Sequence, residues 1–256
     1  ANARAKALVM LMRLAERATA PFGHIGISRL HGAIGRLFPG DSITEIGLRS
    51  GGTFSYPSGD YYWNRLLSKN WDYEEDIQAI LLALKDQRYT FLDVGANFGF
   101  FSCLAASPAF GSQKIVTVEP LRFAFSFLER NLSAYKGQCE NFRLAIDEVS
   151  GTTVALHGAR HAGMSLSEKW YGANASVSDE VLTTTIDDLM QAARMDQYSQ
   201  PVLIKLEVEG IEMRALRGAR KTIEGDVAFI VEEIDATGVS ECARHLHKDL
   251  GFTMFY

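Results

Sequence analysis

Thr90-Phe91-Leu92-Asp93-Val94-Gly95-Ala96-Asn97-Phe98-Gly99 reads as a short apolar strand, a glycine-bearing turn and the entry to a helix that runs from Phe100 to about Ser107. Gly95 has no Cβ, so the chain can turn tightly there. Gly99 lets the helix approach the strand or a ligand closely. The free N–H groups at the helix start face the turn and favour an electronegative partner. Twenty residues beyond Gly99, the β-branched run Lys114-Ile115-Val116-Thr117-Val118 ends in Glu119. An acid at the tip of a second strand is placed to accept hydrogen bonds from ribose hydroxyls.

A Gly-x-x-x-Gly turn is also what an ordinary strand–helix junction needs. Asp93 narrows the choice. It stands near the carboxyl end of a strand otherwise built from Phe91, Leu92 and Val94, where a carboxylate must be paired or must meet a cation. A dinucleotide would bring a pyrophosphate to this turn, and Asp93 would repel it. S-adenosyl-L-methionine brings adenosine, a sulfonium and an ammonium group and no phosphate. Asp93 and Glu119 together therefore favour that cofactor over a nicotinamide one.

Outward from this unit, strands and helices alternate, which predicts an α/β fold of Rossmann-like type, a mostly parallel sheet with helices on both faces. The expected strands are 91–94, 115–118, 141–145, 202–206 and 227–231, with a sixth starting at 252–256. Helices are expected at 100–107, 124–135, 186–194, 211–223 and 240–250. Strand-like segments at 152–156 and 181–185 interrupt the alternation and flank a Gly/Ala/Ser-rich loop, 157–178, placed to cover an acceptor site. Val202–Leu206 delivers Glu207 and Glu209 to the same edge as Asp93 and Glu119. Ligands of open α/β sheets bind there, near the switch in strand order.

Leu92-Asp93-Val94-Gly95-Ala96-Asn97, Val118-Glu119-Pro120, and Ile204-Lys205-Leu206-Glu207-Val208-Glu209-Gly210 with Ala215-Leu216-Arg217-Gly218-Ala219 resemble the FkbM-like methyltransferase family. The resemblance covers residues 91–233, with the motifs in order. It implies a class I, S-adenosyl-L-methionine-dependent enzyme, most often an O-methyltransferase, acting on a small or glycan-type hydroxyl and releasing S-adenosyl-L-homocysteine. It implies a cofactor site of Asp93, Gly95, Ala96, Asn97, Gly99, Glu119 and Pro120, with Ala145, Ile146 and Asp147 beside the adenine. A class I sheet has a seventh strand, expected to be absent or to lie beyond this stretch. The chain departs from the family at Glu207, where Asp is usual; the charge is kept and the reach is longer.

Methyl transfer to an alcohol needs in-line orientation and an acceptor for the hydroxyl proton. The candidates are Glu207, Glu209, His161 and Glu232, with Glu207 towards the methionine end and Glu209 towards the acceptor. Glu207 and Glu209 could instead cap the helix that follows, Asp147 could be a turn residue, and a loop histidine such as His161 is most often only solvated. The acid cluster could hold a divalent cation, but no His/Asp ligand spacing singles out a metal. Two other functions stay open. A nicotinamide-dependent oxidoreductase would want Gly-x-Gly-x-x-Gly and no acid at Asp93, and the chain has neither feature. A non-catalytic module could bind the cofactor or a partner.

Residues 1–88 read as an extension before the cofactor-binding domain, 89–256. Leu8, Val9, Leu11, Met12 and Ala15 give an amphipathic helix over 3–18. It packs on the core, on a second subunit of a homo-oligomer, or on a membrane surface. A helix over 27–38, a hairpin of 42–49 with 53–56, and a helix over 74–88 follow. Tyr56, Tyr61, Tyr62, Trp63, Trp71 and Tyr73 either pack the extension or form a lid.

The composition, 47 % hydrophobic and 22 % charged, suits a globular fold, and the net charge of -5 argues against a general nucleic-acid footprint. Residues 1–40 carry six Arg/Lys against Glu16, or +5, which leaves -10 for the rest. Cys103, Cys139 and Cys242 form no Cys-x-x-Cys pair, which favours a reducing cytoplasm over a disulfide framework. No transmembrane run or secretory signal is expected.

Overall fold

Three five-residue, mostly apolar strands set the frame: β3 (Thr90–Val94), β4 (Lys114–Val118) and β9 (Val202–Leu206). β3 and β9 are buried along their whole length, so neither face can be polar without a partner. The computed structural model describes residues 3–19, 21, 30, 33–34, 37, 43–58, 60, 62–67, 73–157, 177–194, 200–232 and 240–255. The chain divides into two compact units, Ala1–Ala79 and Ile80–Tyr256.

In the second unit β5 (Cys139–Phe142) and β10 (Val227–Val231) complete a parallel sheet in the order β10-β9-β3-β4-β5. The chain builds outward from β3 through β4 to β5, then returns to the other side of β3. The switch in strand order therefore lies between β3 and β9, where such sheets bind ligands. Alternation along the strands separates the two faces. Leu92, Val94, Ile204 and Leu206 join a core closed by the helices at Ile186–Ala192 and Glu212–Arg217 and by Cys242 and Leu246. Asp93 and Lys205, of opposite parity, meet the helix Phe100–Ala106, whose residues are all buried.

Two strand expectations need correction. Residues 141–145 do not form one strand. β5 ends at Phe142, and β6 (Ala145–Ile146) pairs in parallel with β8 (Val177–Thr184) in a separate sheet that includes β7 (Thr153–His157). The break follows from Arg143, whose guanidinium donates to the Pro120 carbonyl at 3.3 Å and pairs with Asp179 at 3.2 Å. Residues 252–255 form no strand. The Phe252 N–H is taken by the Leu246 carbonyl at 2.9 Å, and its ring packs on Phe229 at 5.7 Å. The expected helix over 240–250 begins with an α-turn at Glu241–Arg244 and continues as a π-turn at His245–Asp249.

Thr185 caps the Ile186–Ala192 helix by accepting from the Asp188 N–H at 3.0 Å. Thr185→Ala is expected to cost about 1 kcal/mol, read by urea unfolding, with Thr185→Ser close to wild type.

In the first unit, α1 (Ala3–Thr19) buries Leu8, Met12 and Ala15 with Ile34. β1 (Ile43–Gly47) and β2 (Thr53–Pro57) pair antiparallel from Ile43↔Pro57 to Gly47↔Thr53. Phe54, Tyr56 and Trp63 are buried, Trp63 stacks with Tyr62 and Tyr73, and the Tyr62 hydroxyl donates to that of Tyr73 at 3.0 Å. These rings pack one another, as a structural cluster does. Tyr61, Trp71 and most of the expected 27–38 helix lie outside the described residues. The helix Glu75–Ala83 starts in this unit, with acids in its first turn as expected. Among the described residues no helix is long and apolar enough to cross a membrane.

Candidate active site

The carboxyl ends of β3, β4, β9 and β10 bring Asp93, Glu119, Glu207 and Glu232 to one rim of the sheet. The turn after β3 is pinned first. Gly95 and Ala96 donate to the Val118 carbonyl at 3.0 and 3.1 Å, and the Glu207 N–H donates to the Val94 carbonyl at 3.1 Å. Gly95 has φ +83°, and a Cβ there would stand 1.8 Å from the Glu207 carbonyl oxygen. The missing side chain thus seats the β9 loop against the turn. Gly99, at φ +79°, leaves room for Leu128, whose Cδ1 would lie 2.5 Å from a Cβ. Asn97 holds φ +51° without being glycine, a conformation asparagine tolerates better than most residues.

Asp93 is 1 % exposed, and its Oδ2 accepts from the Ser102 hydroxyl at 2.6 Å. Its Oδ1 and the Oδ1 of Asn97 are buried acceptors with no hydrogen-bond partner among the described residues. Burial pushes the Asp93 carboxyl up from its ordinary value, against Lys205 and the Ser102 hydrogen bond. Glu119 accepts from Asn97 N–H at 2.9 Å and Leu121 N–H at 2.8 Å. Burial outweighs those two hydrogen bonds and raises it to about 7, with smaller contributions from the nearby Asp93 and Glu207.

Lys205 was not singled out by the sequence reading, and it centres the rim. It is 1 % exposed and stands opposite Asp93 in the parallel register. Its ammonium contacts Glu207, lies 3.1 Å from Glu232 and sits 5.3 Å from the centroid of the Phe101 ring. Burial works to lower its pKa, but Glu207, Asp93 and Glu232 outweigh that and hold it above the ordinary lysine value. One cation thus serves three carboxylates, and the rim keeps an excess of negative charge. A signal was available: two buried strands, Thr-Phe-Leu-Asp-Val and Val-Leu-Ile-Lys-Leu, each carry one charge at the fourth position.

The turn after β9 is braced by Glu212, the first residue of the helix Glu212–Arg217 and not among the expected site residues; no side chain among the described residues caps that helix. Glu212 Oε1 accepts from Val208 N–H at 3.2 Å and Gly210 N–H at 3.1 Å. Glu207 and Glu209 are thereby left at the rim. Burial and Glu207 raise Glu209 to about 7. A carboxyl raised on folding stabilises below its unfolded value, about 4.3, and that contribution is lost as pH rises through about 7. Glu209→Gln is therefore expected to raise the melting temperature at pH 8 and leave it nearly unchanged at pH 5, by differential scanning calorimetry. Partial exposure keeps the gain small.

Ala145 and Ile146 are buried and pair with Thr183 and Thr184. Asp147 accepts from Glu148 N–H at 2.7 Å and pairs with Arg214 at 2.6 Å, so both its oxygens are engaged within the protein. Pro120 stands beside Glu119 and offers its carbonyl to Arg143. His161 lies outside the described residues, as does the 158–176 loop. Among the described residues no group of three or more His, Cys, Asp or Glu could hold a metal ion.

The family model described as methyltransferase FkbM domain matches residues 93–251. Hexuronic acid methyltransferase AglP of Haloferax volcanii is 23 % identical over 169 residues, which cover 64 % of this chain. The chain spans only 63 % of that relative's length. A methyltransferase FkbM structure from Methylobacillus flagellatus aligns with TM-score 0.41 and 18 % identity over 56 % of this chain and 32 % of that one. A precorrin-6y C5,15-methyltransferase from Geobacter metallireducens aligns with TM-score 0.41 and 10 % identity over 73 % and 76 % of the two chains.

Proposed function

The chain belongs to the FkbM methyltransferase family, and on that premise we propose that it uses S-adenosyl-L-methionine to methylate a hydroxyl oxygen of a small-molecule or glycan-type acceptor, leaving S-adenosyl-L-homocysteine. The observation that carries the reading is the pair of buried acceptors, Asp93 Oδ1 and Asn97 Oδ1, which have no partner among the described residues, on a rim whose described residues hold more carboxylates than cations. Such acceptors are costly unless a donor reaches them. A ligand with an ammonium and a sulfonium fits that donor and charge requirement, and a pyrophosphate does not. When bound, the cofactor supplies an electrophilic methyl group.

Asp93 and Asn97 accept from the amino group, and Glu119, at the tip of β4, accepts from ribose hydroxyls with the lone pairs its backbone partners leave. Gly95, Ala96, Gly99 and Pro120 shape that pocket, and Ala145, Ile146 and Asp147 border the base. Glu209, raised to about 7, is matched to taking a proton near neutral pH. Glu207 stands beside it towards the methionine end, and His161 is a second candidate base. The hexuronic acid named for the relative AglP supports a saccharide acceptor.

Titration calorimetry tests the cofactor half. Wild type should bind S-adenosyl-L-methionine and not a nicotinamide dinucleotide, and Asp93→Asn and Glu119→Ala should each weaken binding roughly tenfold or more. Labelled cofactor incubated with saccharide fractions tests the rest. A base-stable methyl ether is the expected product. A base-labile methyl ester, a label on nitrogen, or unchanged affinity in both variants would refute the assignment.

A further inference from the structure

We propose that α1 and the groove beside it dock on an anionic phospholipid surface. The helix has two unlike faces. Leu8, Met12 and Ala15 point inward and pack with Ile34. Lys6, Arg13 and Arg17, at i, i+7 and i+11, share the opposite face and are all exposed. Met10, 62 % exposed, and Leu14, 48 % exposed, border that basic stripe. Globular surfaces carry single apolar residues freely, but here two lie within a turn of three cations.

The same face lines a cavity of about 430 Å³, closed on its other side by Ile46 and Leu67. Glu45 is the one acid on its lining among the described residues, and the Ser55 hydroxyl donates to it at 3.4 Å. Among the described residues none of the three cations has an ion-pair partner. An apolar trough rimmed by unpaired cations fits an anionic headgroup with an acyl chain beneath it. The long aliphatic stems of Lys and Arg follow the apolar surface while their charges stay at the headgroups.

Charge distribution makes this patch the point of attachment. Residues 1–40 carry +5, and the rest of the chain -10. An anionic surface therefore attracts the first segment and repels the remainder. The same imbalance argues against nucleic acid as the occupant, because a chain of net charge -5 lacks the broad basic footprint that nucleic acid requires.

Co-sedimentation of the full chain with vesicles tests this. Binding is expected to vesicles of phosphatidylglycerol with phosphatidylcholine, not to phosphatidylcholine alone, and it should weaken as salt rises. Arg13→Gln with Arg17→Gln should lower the partition coefficient about fivefold per charge removed. Met10→Ser with Leu14→Ser should lower it without changing the salt slope. All four side chains are exposed, and unchanged circular dichroism and S-adenosyl-L-methionine affinity check that the variants fold. The proposal falls if wild type ignores anionic vesicles, or if the charge variant binds them as wild type does. It falls equally if inorganic phosphate alone competes fully, which would make this a free-phosphate site. A dimer in sedimentation equilibrium that the same variants dissolve would assign the groove to a second copy and overturn it.

Discussion

Lys205→Met is expected to lower the unfolding free energy by about 3–5 kcal/mol, the range for breaking a buried ion pair by removing one partner. Methionine keeps the volume and the unbranched stem, so the loss should come from charge rather than packing. Asp93, Glu207 and Glu232 would then face one another without the ammonium they share. Asp93 and Glu232 already sit above the ordinary carboxylate range because of burial, and they would rise further. Groups raised on folding contribute most below their unfolded values and lose that contribution as pH rises. The deficit of the variant should therefore be larger at pH 8 than at pH 5, measured by urea unfolding at both. Adding Asp93→Asn should restore part of the loss at pH 8, giving a coupling in a double-mutant cycle. An equal deficit at both pH values, with no recovery in the double variant, would show that Lys205 acts by filling space.

That lysine marks the limit of what could be read from the chain. The parallel sheet was legible because β3, β4 and β9 are short apolar runs, each followed by a turn residue or an acid. Asp93 and Glu119 reach one rim for the same reason: in a parallel sheet all carboxyl ends share an edge. What stayed hidden depends on pairing across distance. Lys205 is marked in the sequence as the one charge in an apolar strand, but its partner is fixed only when the register places it opposite Asp93. No side chain among the described residues caps the Glu212–Arg217 helix; Glu209 at φ +54° and Gly210 at φ +91° turn the chain so that Glu212 folds back onto the Val208 and Gly210 N–H groups instead. Phe-Thr-Met-Phe has the composition of a strand, yet Phe252 packs on Phe229 and no strand among the described residues receives the segment. Propensity yields to such tertiary placement.

Gly95→Ala should be the most damaging glycine-to-alanine change among the described residues. Two penalties coincide there. A φ of +83° costs an L-residue about 1–2 kcal/mol, and the new Cβ would stand 1.8 Å from the Glu207 carbonyl oxygen and 3.0 Å from its carbon. Both atoms are backbone, so no rotamer relieves the clash. The Glu207 N–H is also bonded to the Val94 carbonyl one residue before the turn, so retreat of the loop would break the link between β3 and β9. Gly151→Ala supplies the control within the same unit. It has the same φ of +83° with nothing within 4 Å of its Cβ, so it carries the backbone penalty alone. Gly99→Ala should fall between them, since its obstacle is Leu128 Cδ1, the end of a side chain that can move. Gly151→Ala is expected to lose about 1 kcal/mol, and Gly95→Ala more than about 4 kcal/mol or its folded state altogether. Any Gly95→Ala protein that does fold should fail to bind S-adenosyl-L-methionine, because the turn carrying Ala96 and Asn97 would be displaced. Equal losses in Gly95→Ala and Gly151→Ala would mean that the β9 loop yields freely. The rim would then be a flexible edge rather than the pre-set cradle that selective binding of a sulfonium requires.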